Sequence, residues 1–313
     1  MSSGPPAIHE IMEARKTISG RIHRTPVFTS SGINRVIGAE LFFKCENLQK
    51  TGSFKIRGAS NAVFSHGKVP GFATHSSGNH AAALTLAASW RGASAHIVMP
   101  ESSPGFKKKA VRGYGAEIYF CHPTLRAREE KLKEVVNRTG AVFIHPYDDP
   151  LVIAGQGTAA LEFLEDVEGI DSIIVPVGGG GLLSGTALTV KAMNPHIQVI
   201  AAEPAGADDA FRSFNSGDLI PSENPDTIAD GLLTSLSELT FGIIREKVSD
   251  IVTVSEDSIK AGMRMIWERM KLVVEPSAAV PLGALIEKRD SIPGKRIGVI
   301  LSGGNVDLEH LPF

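Results

Sequence analysis

Cysteine is almost missing from this chain: Cys45 and Cys121 are the only two in 313 residues. Two cysteines cannot build a disulfide framework, and these two form no spaced metal motif. A reducing, cytoplasmic setting is therefore expected. An excess of charge of one sign is missing as well. The chain carries 32 Lys and Arg against 34 Asp and Glu, a formal charge of −2. Without a global basic field, no nucleic-acid partner is expected. No apolar run reaches the length of a membrane span. Met1–Pro6 lacks the basic and apolar blocks of a signal peptide, so no membrane partner is expected either. Repeats and low-complexity segments are absent from the sequence.

What remains is an ordinary globular composition, 42% hydrophobic and 21% charged, which can bury a sizeable core. The length suits one large α/β unit or two lobes. Short β-branched runs alternate with amphipathic stretches. Strands are expected at Glu40–Lys44, Gly71–Thr74, Ser94–Met99, Glu117–Cys121, Val142–His145, Ser172–Val177, Gln198–Glu203, Ile251–Val254 and Arg296–Leu301. Helices are expected at Ile8–Ile22, His80–Arg91, Gly105–Tyr114, Leu125–Thr139, Ile153–Leu164, Leu182–Met193, Ser255–Met270 and Pro276–Lys288, among others. This alternation predicts an α/β fold with parallel sheets built from βαβ units. Residues 71–148 hold a self-sufficient set of strand–helix pairs and are expected to form a small, mobile domain. Residues 1–70 and 149–313 would form the large one, with Gly67–Pro70 and Pro146–Pro150 as hinges.

Four segments carry candidate chemistry. Lys55 sits in Thr51–Ala59, between Phe54 and Ile56 and with no acidic neighbour in sequence. Apolar packing would desolvate its ammonium and lower its pKa, and a neutral amine is what an aldehyde needs to form a Schiff base. A lysine at an element end can equally snorkel to solvent. In Val175–Gly185 a buried strand runs into Gly178, Gly179, Gly180 and Gly181 and then a helix. Backbone N–H groups and the helix dipole there suit a phosphate dianion. The glycines are contiguous, with neither dinucleotide nor Walker spacing. Thr74–His80 places Ser76, Ser77 and Asn79 between a strand and a helix, a turn and cap that also suits a ligand. Leu301–Asn305 sets the Ser302 hydroxyl at another strand end.

Taken in order, SFKIRGA, THSSGNH, AGQGT, PVGGGGLLSG, AAEPAGADD, ERMKLVVEP and LSGGNVD resemble the fold-type II pyridoxal-phosphate enzymes. The likeness runs from about residue 8 to 308 and is strongest to the serine racemase and serine/threonine dehydratase branch. It implies a two-lobed, tryptophan synthase β-like α/β fold with parallel-rich sheets flanked by helices. By that resemblance Lys55 carries the cofactor and serves as acid/base on one face of the substrate. Phe54 flanks the ring, Gly178–Gly181 with Leu182 cradle the phosphate, and Asn79 meets the ring oxygen. Ser302 partners the pyridine nitrogen. A hydroxyl there can donate to an unprotonated nitrogen, so the ring is a weaker electron sink and loss of a β-leaving group gains in relative terms. Ser77 matches the serine on the face opposite Lys55, and Ser76, Ser77, Asn79, His80 and Arg128 match substrate contacts. Glu203, the Ala207 carbonyl and Asp209 match a site for Mg²⁺, Ca²⁺ or Mn²⁺, hard cations that take oxygen ligands. Ser30, Ser31, Lys50, Thr51, Tyr114, Lys271 and Asn305 match positions that bind ATP at a subunit interface, which implies a homodimer.

The chain departs from the family in places. Met12 stands where the animal racemases have a glutamate. Ala81–Ala83 follow His80 where Gly-Gln or Ala-Gln is commoner. The His145–Pro150 stretch is closer to the dehydratases, because animal racemases have Asn at the position of Tyr147. Neither a regulatory C-terminal domain nor a long tail is expected after Asp307. The expected activity is racemisation of serine together with its dehydration. A dedicated serine/threonine or threo-3-hydroxyaspartate dehydratase and a non-catalytic sensor of cofactor and nucleotide are the alternatives, while a cysteine-synthase-like transferase is disfavoured by the Ser-Ser-Gly-Asn-His loop.

Overall fold

A computed structural model describes residues 4–76 and 78–313. The strands are β1 (Val27–Phe28), β2 (Glu40–Cys45), β3 (Gly71–His75), β4 (Ser94–Pro100), β5 (Glu117–Cys121), β6 (Val142–Phe143), β7 (Ser172–Pro176), β8 (Gln198–Pro204), β9 (Asp250–Val254) and β10 (Arg296–Leu301). The helices are α1 (Ile8–Ile18), α2 (Ser31–Ile37), α3 (Lys55–Ser65), α4 (Asn79–Trp90), α5 (Gly105–Gly113), α6 (Leu125–Thr139), α7 (Pro150–Asp166), α8 (Gly181–Met193), α9 (Asp209–Ser216), α10 (Glu238–Lys247), α11 (Glu256–Met270) and α12 (Pro276–Lys288). None of them is long and apolar enough to cross a membrane.

Two sheets form. One has six strands in the order β1-β2-β10-β7-β8-β9, and the other has four in the order β5-β4-β3-β6. All pairings are parallel except β1 against β2. The four-stranded sheet lies within residues 71–148, the stretch expected to form the small unit.

Side chains alternate across the six-stranded sheet and feed two cores. Leu41, Phe43, Ile297 and Val299 pack with Met263, Ile266 and Leu282 of α11 and α12. Phe42, Ile300, Ile173 and Val175 pack on the other face with Phe163, Leu183 and Ile244 of α7, α8 and α10. Covering both faces is what parallel sheets require. The small sheet repeats the pattern, with Phe72, Ile97 and Met99 on one face and Ala73, Val98 and Cys121 on the other.

The expected strands all form, with ends that move by a residue or two. Two helices differ more. α1 stops at Ile18 rather than Ile22, because Gly20 adopts φ 74° just beyond its end. α7 starts at Pro150 rather than Ile153. Asp149 caps it by accepting from Leu151 N–H, and Pro150 occupies the first turn, where its missing N–H is not needed.

Candidate active site

Segments that follow β3, β7 and β10 line a single cavity of about 200 Å³, together with the start of α3. Its position beyond the strand carboxyl ends is the one α/β sheets favour for ligands.

Lys55 opens α3. The Phe54 N–H donates to the Ser302 carbonyl at 3.0 Å, and Ser53 forms a β-bridge with Gly303. The start of the helix is thus joined to the end of β10. The Lys55 ammonium donates to the Pro146 carbonyl at 3.0 Å and lies 5.0 Å from the Phe54 ring centre. Burial pulls its pKa down to about 8, against the opposing pull of Glu275. That acid corrects the sequence picture of a lysine without an acidic neighbour: it arrives from 220 positions away in the chain by tertiary packing. At pH 7 a pKa near 8 leaves roughly a tenth of the amine neutral.

The glycine segment turns from β7 into α8. Gly180 caps the helix at φ 86°, a left-handed conformation that favours glycine. A Cβ on Gly178 would come within 2.8 Å of Leu232 Cα, and one on Gly179 would overlap the Tyr147 ring. Gly180 and Gly181 are as tight, at 2.9 Å from Leu236 and Tyr147, so all four glycines also answer to packing against neighbouring segments. The unpaired N–H groups of the first turn of α8 remain available to an anion.

Asn79 stands at the centre of a half-buried polar chain. Its amide donates to the two Glu275 oxygens at 2.9 and 3.1 Å, and its carbonyl accepts from Asn305 Nδ2 at 2.8 Å. Burial pushes Glu275 up to about 7, although the Asn79 bond favours its charged form. Glu275 was not singled out from the sequence. Its one local signal is an acid placed directly before Pro276 at the start of α12, after the apolar run Leu272–Val274.

Ser76 lines the cavity, and its hydroxyl accepts from the Gly78 N–H at 3.3 Å. Ser77 lies outside the described residues. His80 is buried, with Nε2 3.4 Å from the Ile144 carbonyl and Nδ1 without a partner among the described residues. Burial holds it well below the usual histidine range. Arg128 reaches the cavity from α6, and its buried Nε meets no acceptor among the described residues. Phe54, Leu182 and Ser302 complete the expected lining. Sequence reasoning did not assign His75, Tyr147 or the Lys107–Asp230 ion pair, all of which line the same cavity.

The other two candidate sets separate. Thr51, Tyr114 and Asn305 share a second cavity of about 280 Å³, whose wall of Gly78, Asn79 and Lys107 is common to the first. Ser30 instead caps α2, Ser31 begins that helix, Lys50 lies 5.3 Å from the Trp90 ring centre, and Lys271 ends α11. Glu203, at the end of β8, accepts from the N–H groups of Ala210 and Phe211 at 2.9 and 2.7 Å. Ala207 and Asp209 follow, all three buried. Both Asp209 oxygens are buried, and the Ser222 hydroxyl and the Leu236 N–H lie close enough to favour its charged form. Burial pushes Glu203 up to about 8 and Asp209 up to about 6. Two carboxylates held this way, beside a carbonyl, fit a hard cation. Among the described residues no cluster of three or more His, Cys, Asp and Glu is poised for a metal, so any such site depends on that carbonyl.

A profile described as "Pyridoxal-phosphate dependent enzyme" matches residues 18–303. The chain belongs to this family. It is 51% identical over 312 residues to a serine racemase of Dictyostelium discoideum, covering 97% of this chain and 96% of that one. It is 48% identical over 311 residues to a β-hydroxyaspartate dehydratase of Paracoccus denitrificans, covering 98% and 99%. The solved structure of maize serine racemase superposes with a TM-score of 0.95 at 46% identity, covering 97% of this chain and 95% of that one. The site fits the cofactor of a pyridoxal-phosphate enzyme. It offers a half-buried amine of lowered pKa and, in the same cavity, a glycine-lined helix N-terminus for a phosphate and a hydroxyl at a strand end.

Proposed function

We propose that this chain interconverts L- and D-serine and also dehydrates serine to pyruvate and ammonia. The observation that carries the reading is the half-buried Lys55 amine, with its pKa near 8, in one cavity with the glycine loop and Ser302. The similarity to serine racemases supports it. Pyridoxal phosphate, when bound, supplies electron withdrawal from the substrate Cα. Gly178–Gly181 with Leu182 and the start of α8 would hold its phosphate, Phe54 would pack against its ring, Asn79 would meet its ring oxygen and Ser302 its nitrogen. Lys55 moves the Cα proton on one face. Ser77 takes the other face, so that both hands of serine can form. Loss of the β-hydroxyl as water after Lys55 removes the proton gives an enamine, and water then releases ammonia and pyruvate. Ser76, Asn79 and His80 orient the substrate carboxylate at the start of α4, and Arg128 closes from α6.

The same reading includes a Mg²⁺, Ca²⁺ or Mn²⁺ ion on Glu203, the Ala207 carbonyl and Asp209, supported by the two buried carboxylates beside one another. It includes ATP as an activator across a homodimer interface, supported by the cavity of Thr51, Tyr114 and Asn305. It also takes residues 71–148 as a mobile domain that closes over the site, in a cytoplasmic enzyme. A second reading is dehydration of threo-3-hydroxyaspartate. The Arg128 Nε, without an acceptor among the described residues, and the similar β-hydroxyaspartate dehydratase favour it, because a second carboxylate needs a cation in reserve.

One assay separates these. The protein is incubated with L-serine, D-serine, L-threonine and L-threo-3-hydroxyaspartate, and enantiomer and keto acid are quantified together. Serine inverted alongside pyruvate release is the expected result. Keto acid from hydroxyaspartate alone would select the second reading, and no turnover would remove both. Parallel runs with chelator and with ATP test the cation and the nucleotide, and a monomer by sedimentation would remove the interface.

A further inference from the structure

Beneath the cavity lies a group of charges that the reaction does not touch. Arg57, Glu46 and Lys44 are completely buried, and Glu162 is 7% exposed. The Arg57 guanidinium spends every donor. Nε and Nη2 donate to Glu46 at 2.7 and 2.8 Å, while Nη1 and Nη2 donate to Glu162 at 2.9 and 2.8 Å. Nη1 also reaches Thr158 Oγ1 at 3.1 Å, and Nη2 reaches Thr25 Oγ1 at 3.5 Å. Lys44 adds bonds to Glu162 at 2.9 Å and to the Thr25 carbonyl at 2.8 Å. Burial alone would lower the Arg57 pKa, but Glu46 and Glu162 outweigh it and hold the cation firmly charged.

Such a network is poor evidence of stability, because desolvation offsets much of the attraction. Its placement is informative. Arg57 follows Lys55 by two residues, so at 3.6 residues per turn the two side chains leave α3 on opposite faces. One faces the cavity; the other clamps the helix to α7 and to the end of β2. The Gly58 N–H adds a bond to Gln156 Oε1 at 3.2 Å on α7. We infer that Arg57 is a positioning residue: its double fork to Glu46 and Glu162 fixes the first turn of α3 and so holds the Lys55 amine dry and in register with the cavity.

This rests on the role of Lys55 proposed above. The charged and titratable groups that face Lys55 are Glu275 before α12, His80 of α4 and His145 after β6. None of them changes in the test. Cofactor-free protein is exposed to pyridoxal phosphate across pH, trapped with borohydride, and the modified fraction of Lys55 is read by mass spectrometry. Wild type should show a midpoint near its lowered pKa. Arg57→Lys keeps the charge but cannot fork. With water admitted to the first turn, its midpoint should rise by about one unit or more, a roughly tenfold loss of neutral amine at pH 7. kcat should fall by about tenfold with KM within about twofold. If Arg57→Lys does not fold, Glu162→Gln, which is isosteric, carries the same readouts. A variant that loses thermal stability while midpoint and kcat stay at wild type would overturn the inference. Wild type untrapped at Lys55 would instead overturn the functional reading, and this inference with it.

Discussion

At the residue scale the chemistry converges on one amine. Lys55 is neutral more readily than an ordinary lysine because burial removes the water that would solvate its charge. The Pro146 carbonyl accepts one of its hydrogens and does not compete as a base. The rate of pyridoxal-phosphate uptake should therefore rise with pH through about 8 rather than through the ordinary lysine value of 10.5. Lys55→Ala should lose the absorbance of bound cofactor and all turnover of serine. Spectra and pyruvate release in the variant check this, and a variant that still racemises serine would remove Lys55 from the reaction.

At the scale of elements, the turn from β7 into α8 does two things. It leaves helix N–H groups for an anion, and it lets Tyr147 and Leu232 lie directly on Gly179 and Gly178. Gly179→Ala should cost about 1–3 kcal/mol through the overlap with Tyr147, seen as a lower Tm and weaker cofactor binding. Removing the ring as well, in Gly179→Ala with Tyr147→Ala, should be less damaging than the sum of the single losses. Additive losses would mean that the overlap is not the cause. Much at this scale was legible in the sequence. The β-branched runs at residues 172–176 and 296–301 were sufficient to place β7 and β10, because buried parallel strands read as continuous apolar segments. The glycine loop and Ser302 were legible as breaks at their ends. The start of α3 at Lys55 was not, since Phe54 precedes it at a position where no side chain caps the helix. Glu275 and the partners of Arg57 were hidden for another reason. Each lies in a different element from the group it serves, and no local pattern links Arg57 to Glu162 or Lys55 to Glu275.

At the scale of the whole molecule, the boundary between the two sheets is lined by neutral histidines. His75 ends β3 and its ring lies 5.8 Å from that of His145. His145 Nδ1 accepts from the N–H groups of Tyr147 and Asp148 at 3.3 and 2.8 Å, so that nitrogen carries no proton and the ring shapes the turn before α7. Burial holds His75 and His80 below the usual range and His145 down to about 4. As pH falls through the ordinary histidine value of 6.5, the unfolded chain takes up protons that the folded chain refuses until about 4. The unfolded state binds more protons throughout that window, so stability rises with pH there. It is fully present above 6.5 and is lost on acidification. For His145 alone the loss between pH 7 and pH 5 is about 2 kcal/mol, at 1.36 kcal/mol per unit. Asn at this position offers an oxygen to the same two N–H groups and does not titrate. Thermal melts of wild type should therefore fall by several degrees from pH 7 to pH 5, and His145→Asn should flatten that slope while keeping its Tm at pH 7 within a few degrees. A variant with the wild-type slope would show that acid acts elsewhere, and that the turn before α7 does not depend on the neutral ring.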